Sequence, residues 1–479
     1  MTLLLALDFL LPVVMGALLV HLLWPDRQVR NLPLKLLLGV GLGLGLSSLL
    51  YFIYLFAFAG RDWFIFVQLI ILCALVLAAI LQSRQTGTGA LSHDRIRQVS
   101  LVQGFFAAVG LVVFLVSLLA TASYLLRRRQ GDWDAWMMYN RAARFVYRDQ
   151  VHWLESFSAQ MDPIFHADYP LLLAMNIASS WETLGSDTPR VPMVQSGLFA
   201  VACVGLAVTA LASVKSIGQG ALGLTILWGT PVLVNEGARQ MADVPLAFFI
   251  LATAILVYLY VLHRSPGLLV LAGFSAGLAA WTKNEGSLFV IAAFVGLALA
   301  VQGVSRLRAL ASYVAGLALP LAVVVYFKVA LAPPSDVLSS GPARSVAQIL
   351  DPARHIEIVR YVVGELAGFG SWGVALLPVG TLVILVLYYI VFRAPIAPEL
   401  RPAYVAGIVM LAIQALGYYG IFLITPYDLA WHLSYSTTRL ILQVFPLIAF
   451  FVLGAAATPE AAFASASMEP QGGQHAPGN

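Results

Sequence analysis

The chain has 479 residues, 60% of them hydrophobic and only 10% charged, with a net charge of +4 at neutral pH. Apolar runs long enough to cross a ~30 Å hydrocarbon layer fill most of its length, which excludes a soluble globular domain. The basic residues are scattered over loops and tails with no dense tract, so nucleic acid is not an expected partner, whereas membrane lipid phosphates are.

Segments such as LLVLAGFSAGLAAW and TLVILVLYYIVF are continuously apolar rather than alternating, so the predicted fold is an all-α polytopic membrane protein and not a closed barrel. The helix-length rule predicts about thirteen spans, near 9–24, 36–58, 63–83, 101–125, 190–214, 218–235, 245–262, 267–282, 286–303, 309–332, 373–393, 403–424 and 438–456. MTLLLALDF has no basic n-region, so the first span is expected to be retained rather than cleaved as a leader. Cys73 and Cys203 both fall inside apolar runs, where cysteine behaves as a small hydrophobe, and no disulfide is expected. Gly39, Gly41, Gly43 and Gly45, and Gly273 with Gly277, have the small-residue spacing that lets membrane helices pack closely.

With the N-terminus outside, twelve basic residues lie in inner loops: Arg27, Arg30, Lys35, Arg84, Arg95, Arg97, Lys215, Arg264, Arg306, Arg308, Arg393 and Arg401. Short outer segments hold Arg61, Arg239, Lys283 and Arg439, and this orientation places two long polar segments, 126–189 and 333–372, outside. In the first, DAWMMYNRAARFVYRD sets Trp136, Asn140, Ala143 and Tyr147 on one helical face and Arg141, Arg144 and Arg148 on another, the pattern of an interfacial helix. A second interfacial helix is expected over DYPLLLAMNIASSWETLG. From residue 458 the chain is rich in Ala, Ser, Gly, Pro and Gln and is expected to be disordered.

Five polar turns fall on the outer side: GDWDAW with Asp132 and Asp134, HADYP with His166, Asp168 and Tyr169, ADVP with Asp243 preceded by Arg239, TKNEG with Lys283, Asn284 and Glu285, and TPYDLAWHLSYSTTRL with Asp428, His432 and Arg439. Taken singly, each reads equally as a solvated connector, and an aspartate ahead of a periodic run reads as a helix cap. Convergence of carboxylates and cations on one face reads instead as a site for an anionic headgroup.

GDWDAWMMY followed by HADYPLLL resembles the first large outer loop of the C-type (GT-C) membrane glycosyltransferases, which take sugars from polyprenyl-phosphate carriers. The nearest likeness is to dolichyl-phosphate-glucose glucosyltransferases; ARQMADVPLAFF and GLAAWTKNEG are similar to segments of lipid A aminoarabinose transferases and protein mannosyltransferases. The resemblance covers roughly 100–456. It implies an N-terminal additional helical module over 1–100, a catalytic core over 101–457 and a tail over 458–479. It also implies a catalytic carboxylate at Asp132, with Asp134 at the second acidic position. Pro170 is followed by Leu171 where close relatives carry a second proline, so the acceptor is not inherited from them.

The expected activity is inverting transfer of a monosaccharide from a polyprenyl-phosphate carrier to a glycan, lipid or protein acceptor at the outer face of a bacterial plasma membrane. A transporter or flippase of lipid-linked sugar, and a polymerase or ligase using lipid-diphosphate donors, are the alternatives. One carboxylate suffices as base because the donor already carries its leaving group, and Lys283, Arg439, Arg239 and His432 are candidates to hold the phosphate, in that order of preference for the first two. An Asp-x-Asp pair also invites a divalent metal on Asp132, Asp134 and Asp168. A monophosphate held by basic side chains needs none, so no cofactor is expected to be required.

Overall fold

The computed structural model describes residues 2–26, 28–86, 100–158, 166–303, 305–335, 341–371 and 379–467. Among them there is no strand beyond an isolated bridge between Arg393 and Ala456, and the chain is an all-α polytopic membrane protein. With no water to satisfy peptide groups in the hydrocarbon layer, apolar runs of this length close their hydrogen bonds within a helix.

Three long helices come first, α1 (Thr2–Leu23), α2 (Leu32–Phe58) and α3 (Phe64–Thr86), followed by α4 (Leu101–Arg127). A polar stretch contains α5 (Asn140–Arg148) and α6 (Leu172–Leu184). The next block is α7 (Arg190–Val214), α8 (Ile217–Trp228), α9 (Pro231–Ala238), α10 (Asp243–His263), α11 (Pro266–Thr282), α12 (Asn284–Ala300) and α13 (Ser305–Tyr326). Two helices, α14 (Pro342–Ile349) and α15 (Pro352–Gly368), fill the second polar stretch. The chain ends with α16 (Thr381–Phe392), α17 (Arg401–Ile424), α18 (Leu429–Gly454) and α19 (Pro459–Ser467).

Nine of the described helices are long and apolar enough to cross a membrane, and α8 with α9 makes a tenth candidate bent by 68°. The bend follows from Pro231, which lacks the N–H that would continue α8 and instead starts α9. The three remaining apolar helices, α11, α12 and α16, have 17, 17 and 12 residues. At 1.5 Å per residue they extend over about 26, 26 and 18 Å beside a hydrocarbon layer of ~30 Å, and residues 372–378 ahead of α16 lie outside the described set.

Helix α10 is apolar around its whole circumference, as a helix enclosed by protein must be, and Asp243–Val261 are all buried. It packs against α7, α11 and α18, and α2 lies against α6 and α7 and reaches α10 and α11. Lipid is as apolar as leucine, so such contacts depend on close fit rather than on the hydrophobic effect. Gly41 supplies that fit against the Phe248 ring, and Gly273 brings α11 onto the Tyr313 carbonyl of α13. Helix α2 is also bonded into the same bundle: Trp281 of α11 donates from its indole to the Ser48 hydroxyl at 2.9 Å.

Three local expectations are corrected. DYPLLLAMNIASSWETLG does not lie on a surface: α6 is 13 residues long and Leu172–Trp181 are buried inside the bundle. In the preceding segment Ala135–Tyr139 form a π-helical turn, which shifts the face of the helix after it. Ala135, Met138, Tyr139, Asn140, Ala143 and Val146 turn inward, while Trp136 is exposed and Tyr147 half-buried. The tail is also not without structure from 458: Pro459–Ser467 are helical, and Glu460 accepts from the Ser216 hydroxyl at 3.0 Å. Residues 468–479 lie outside the described set.

Candidate active site

The GDWDAW loop enters the bundle through Gly131, whose φ of +77° favours glycine. A Cβ there would stand 2.5 Å from that of Ala135 and 2.7 Å from the Arg239 carbonyl. That same carbonyl accepts from the Asp132 N–H at 3.1 Å. The close approach therefore fixes where the first aspartate begins.

Asp132 and Asp134 diverge from there. The Asp132 Oδ2 accepts from Arg239 Nε at 2.6 Å and pairs with its Nη2 at 2.5 Å, with Arg128 at 3.5 Å. Its Oδ1 takes the N–H of the neighbouring Trp133 at 2.9 Å, and the side chain is 31% exposed. Partial burial raises its pKa, but the Trp133 N–H and the Arg239 guanidinium outweigh that and hold the carboxyl below its ordinary 3.8. Asp132 is thus ionised throughout the neutral range.

Asp134 turns inward and makes no side-chain cap bond to the turn it precedes. Its Oδ1 accepts from the Tyr435 hydroxyl at 2.8 Å, and its Oδ2 pairs with Arg439 at 2.8 Å. Arg439 continues to Asp243, donating from Nε at 3.0 Å with Nη2 at 2.9 Å from the same oxygen. The other Asp243 oxygen accepts from Lys283 at 2.9 Å and Gln443 at 2.7 Å, and Lys283 also pairs with Glu285 at 2.8 Å. Three carboxylates meet two cations in this buried network, leaving it one negative charge in excess. The helix ends explain the placement. Asp243 opens α10, Lys283 is the extended residue between α11 and α12, and Arg439 lies in the third turn of α18.

HADYP joins at a second point. Asp168 is buried, accepts from Asn284 at 3.0 Å and stands 3.7 Å from Lys328, which donates to the Asp168 backbone carbonyl. His166, at a positive φ of 44°, meets the Tyr169 ring edge to face at 5.3 Å. Burial pushes the phenols of Tyr139 and Tyr169 well above their ordinary value, so both remain proton donors. A small cavity beside them is lined by Tyr139, Arg141, His166 and Tyr169. Glu285 Oε2, Asn284 Oδ1 and the Tyr139 hydroxyl are buried with no partner among the described residues, and such atoms are the ones a bound hydroxyl would satisfy.

Of the residues singled out from sequence, His432 stands apart: its Nδ1 bonds the Thr425 hydroxyl at 2.8 Å and its ring packs on Phe422. Asp132, Asp134 and Asp168 do not converge either. Each is held by its own cation, and the described residues contain no group of three acidic, histidine or cysteine side chains suited to a metal ion. Four network members were missed: Lys328, Glu236 (2.5 Å from Arg239), Tyr435 and Gln443. Lys328 and Gln443 interrupt apolar runs, and a polar residue inside a span was the available signal.

Residues 171–327 match the dolichyl-phosphate-mannose-protein mannosyltransferase family. The match supports a membrane glycosyltransferase of the GT-C type. It takes in Arg239, Asp243, Lys283, Asn284 and Glu285, stops one residue short of Lys328, and includes neither aspartate of the GDWDAW loop. No curated protein and no solved structure matches the chain.

Proposed function

We propose that the protein transfers a monosaccharide from a polyprenyl-phosphate carrier, with inversion, at the outer face of the membrane, and that Asp132 is the base. The observation that carries this is the asymmetry of the two aspartates. Asp132 is ionised and partly exposed, with one oxygen free of any cation, whereas Asp134 is fixed between Arg439 and Tyr435. A carboxylate so tied is poorly placed as a nucleophile, which favours single over double displacement. Asp132 takes the proton of the acceptor hydroxyl while the acceptor oxygen bonds to C1, and the C1–O bond to phosphate breaks with its electron pair leaving on polyprenyl phosphate.

Lys283 and Arg439, first choices for the phosphate on sequence grounds, already serve carboxylates in a network of excess negative charge. Their role in this reading is to hold Asp134 and Asp243. Lys328, paired with Asp168 at 3.7 Å but 29% exposed, is the more accessible cation and in this reading the better contact for the leaving phosphate. No metal is needed for this chemistry. The test is to incubate the purified protein with a panel of polyprenyl-phosphate and polyprenyl-diphosphate sugars and follow carrier and product by mass spectrometry. Monophosphate donors support transfer, and Asp132→Asn abolishes it. Wild-type turnover in that variant, or strict use of diphosphate donors, overturns the reading.

A further inference from the structure

Away from the acidic loop, a carboxylate lies inside a span and takes no part in the transfer chemistry. Asp8, in the second turn of α1, is 8% exposed and pairs with no lysine, arginine or histidine among the described residues. An ionisable group held there is costly and characteristically serves an ion or a proton. It borders a cavity between α1, α2, α3 and α6, whose other polar lining is Ser47, Gln68, Asn176, Ser179 and Ser180. The cavity offers about 10 Å³ to the centre of a water-sized sphere, room for one small body.

The lining presents oxygen. Gln68 gives its amide nitrogen to the Ser47 hydroxyl at 2.9 Å and keeps its amide oxygen as an acceptor. Ser179 donates its proton to the Asn176 carbonyl at 3.0 Å, which leaves its own lone pairs. Pro12, also in the wall, has no N–H, so the Asp8 carbonyl lacks the amide that would bond it in an unbroken helix. Asn176, 3% exposed, has an amide nitrogen with no partner among the described residues, and a half-turn of the amide sets its oxygen in the same place.

A proton needs a single acceptor and no cage around it. Several neutral oxygens about one carboxylate are instead the donor set of a hard cation, and a lone negative charge is balanced by a single positive one. Membrane proteins hold sodium in this manner, using carbonyls freed where a helix is interrupted. We infer that this cavity binds one sodium ion, with Asp8 as its charged ligand and oxygens of α2, α3 and α6 completing the shell. The ion fastens α6, which continues from the Asp168 loop, to the three N-terminal helices. This goes beyond sugar transfer and stands or falls independently of it.

The test uses the full chain in detergent, exchanged into choline chloride and titrated with radiolabelled sodium at constant ionic strength. Scintillation-proximity binding saturates at about one ion per chain, and sodium raises the thermal midpoint saturably where choline does not. Asp8→Asn weakens binding at least about tenfold; Ser47→Ala, which removes one hydroxyl and serves should the first variant not fold, weakens it about threefold. The inference is overturned if the wild type shows no saturable sodium binding, or if folded Asp8→Asn or Ser47→Ala binds as wild type does. Complete displacement by an equal concentration of calcium also overturns it, in favour of a divalent site. So does a midpoint that follows pH and ignores sodium, which makes Asp8 a proton site.

Discussion

Asp243→Asn strikes the buried network at its centre while barely changing side-chain volume. The native carboxylate accepts four bonds, two on each oxygen, and is 1% exposed. An asparagine keeps one acceptor and turns an NH2 toward either Arg439 or the Lys283 and Gln443 pair, so donors face donors. Charge-assisted bonds are worth about 1.5–3 kcal/mol each. Removing one partner of a buried ion pair costs about 3–5 kcal/mol, and Asp134 and Glu285 still neutralise Arg439 and Lys283, so we expect a loss toward the lower end of that range, about 3 kcal/mol. For a protein of this size that lowers the thermal midpoint in detergent by roughly 3 °C, read by fluorescence-detected size-exclusion after heating. Asp243→Asn combined with Arg439→Gln should cost less than the sum of the two, because both break the same bonds. A midpoint within about 1 °C of wild type for Asp243→Asn, or strict additivity in the double variant, refutes the network as an energetic unit.

Other outcomes follow from the same geometry. Asp132→Asn abolishes transfer but lowers the midpoint by less than Asp243→Asn, since its carboxylate is partly exposed; equal destabilisation would point to a structural role. Arg239→Gln moves the acid limb of the pH–rate profile upward. Wild-type Asp132 is held below 3.8, so it loses its charge, and the stability its ion pair contributes, only as pH falls below that value, and without the guanidinium both losses begin at higher pH. Lys328→Ala raises the KM for the polyprenyl-phosphate donor with kcat for a given acceptor less affected; unchanged donor kinetics would send the phosphate elsewhere. Gly131→Ala, forced into a strained φ and against the Arg239 carbonyl, cuts kcat by at least about tenfold through misplacement of Asp132, and unaltered kinetics would show the loop is not set by that contact.

The helices were readable because uninterrupted apolar runs admit hardly any other structure in lipid. The five polar turns were readable as a set because so few charges exist to distribute, and the structure draws the chain segments of all five around one region. What escaped is local. A π-helical turn adds a single residue per loop and leaves no periodic trace, so Trp136 was assigned to the wrong face. Helix α6 buries Asn176, Ser179 and Ser180 along with its apolar residues, and periodicity cannot separate such an enclosed helix from one lying on a surface. The WHLSYSTTR stretch, read as a turn before a span starting at 438, is the opening of α18, which begins at Leu429. Asp428 caps it by accepting from the Trp431 N–H at 2.8 Å, a signal visible in DLAW but outweighed by the polarity that followed.

The contact between α2 and the polar stretch has a further consequence. Gln150 donates to Glu182 at 2.8 Å, Glu182 also accepts from Tyr51 at 2.9 Å, and the backbone N–H of Gly60 is met by the Gln150 amide oxygen at 2.9 Å. The chain that follows the acidic loop is therefore tethered from behind by helices lying far outside the family match. An attempt to isolate a minimal enzyme by trimming to the family-like portion would discard both the aspartates and the wall they are moored to. Grafting the loop onto a shorter relative would succeed only if α2 travelled with it.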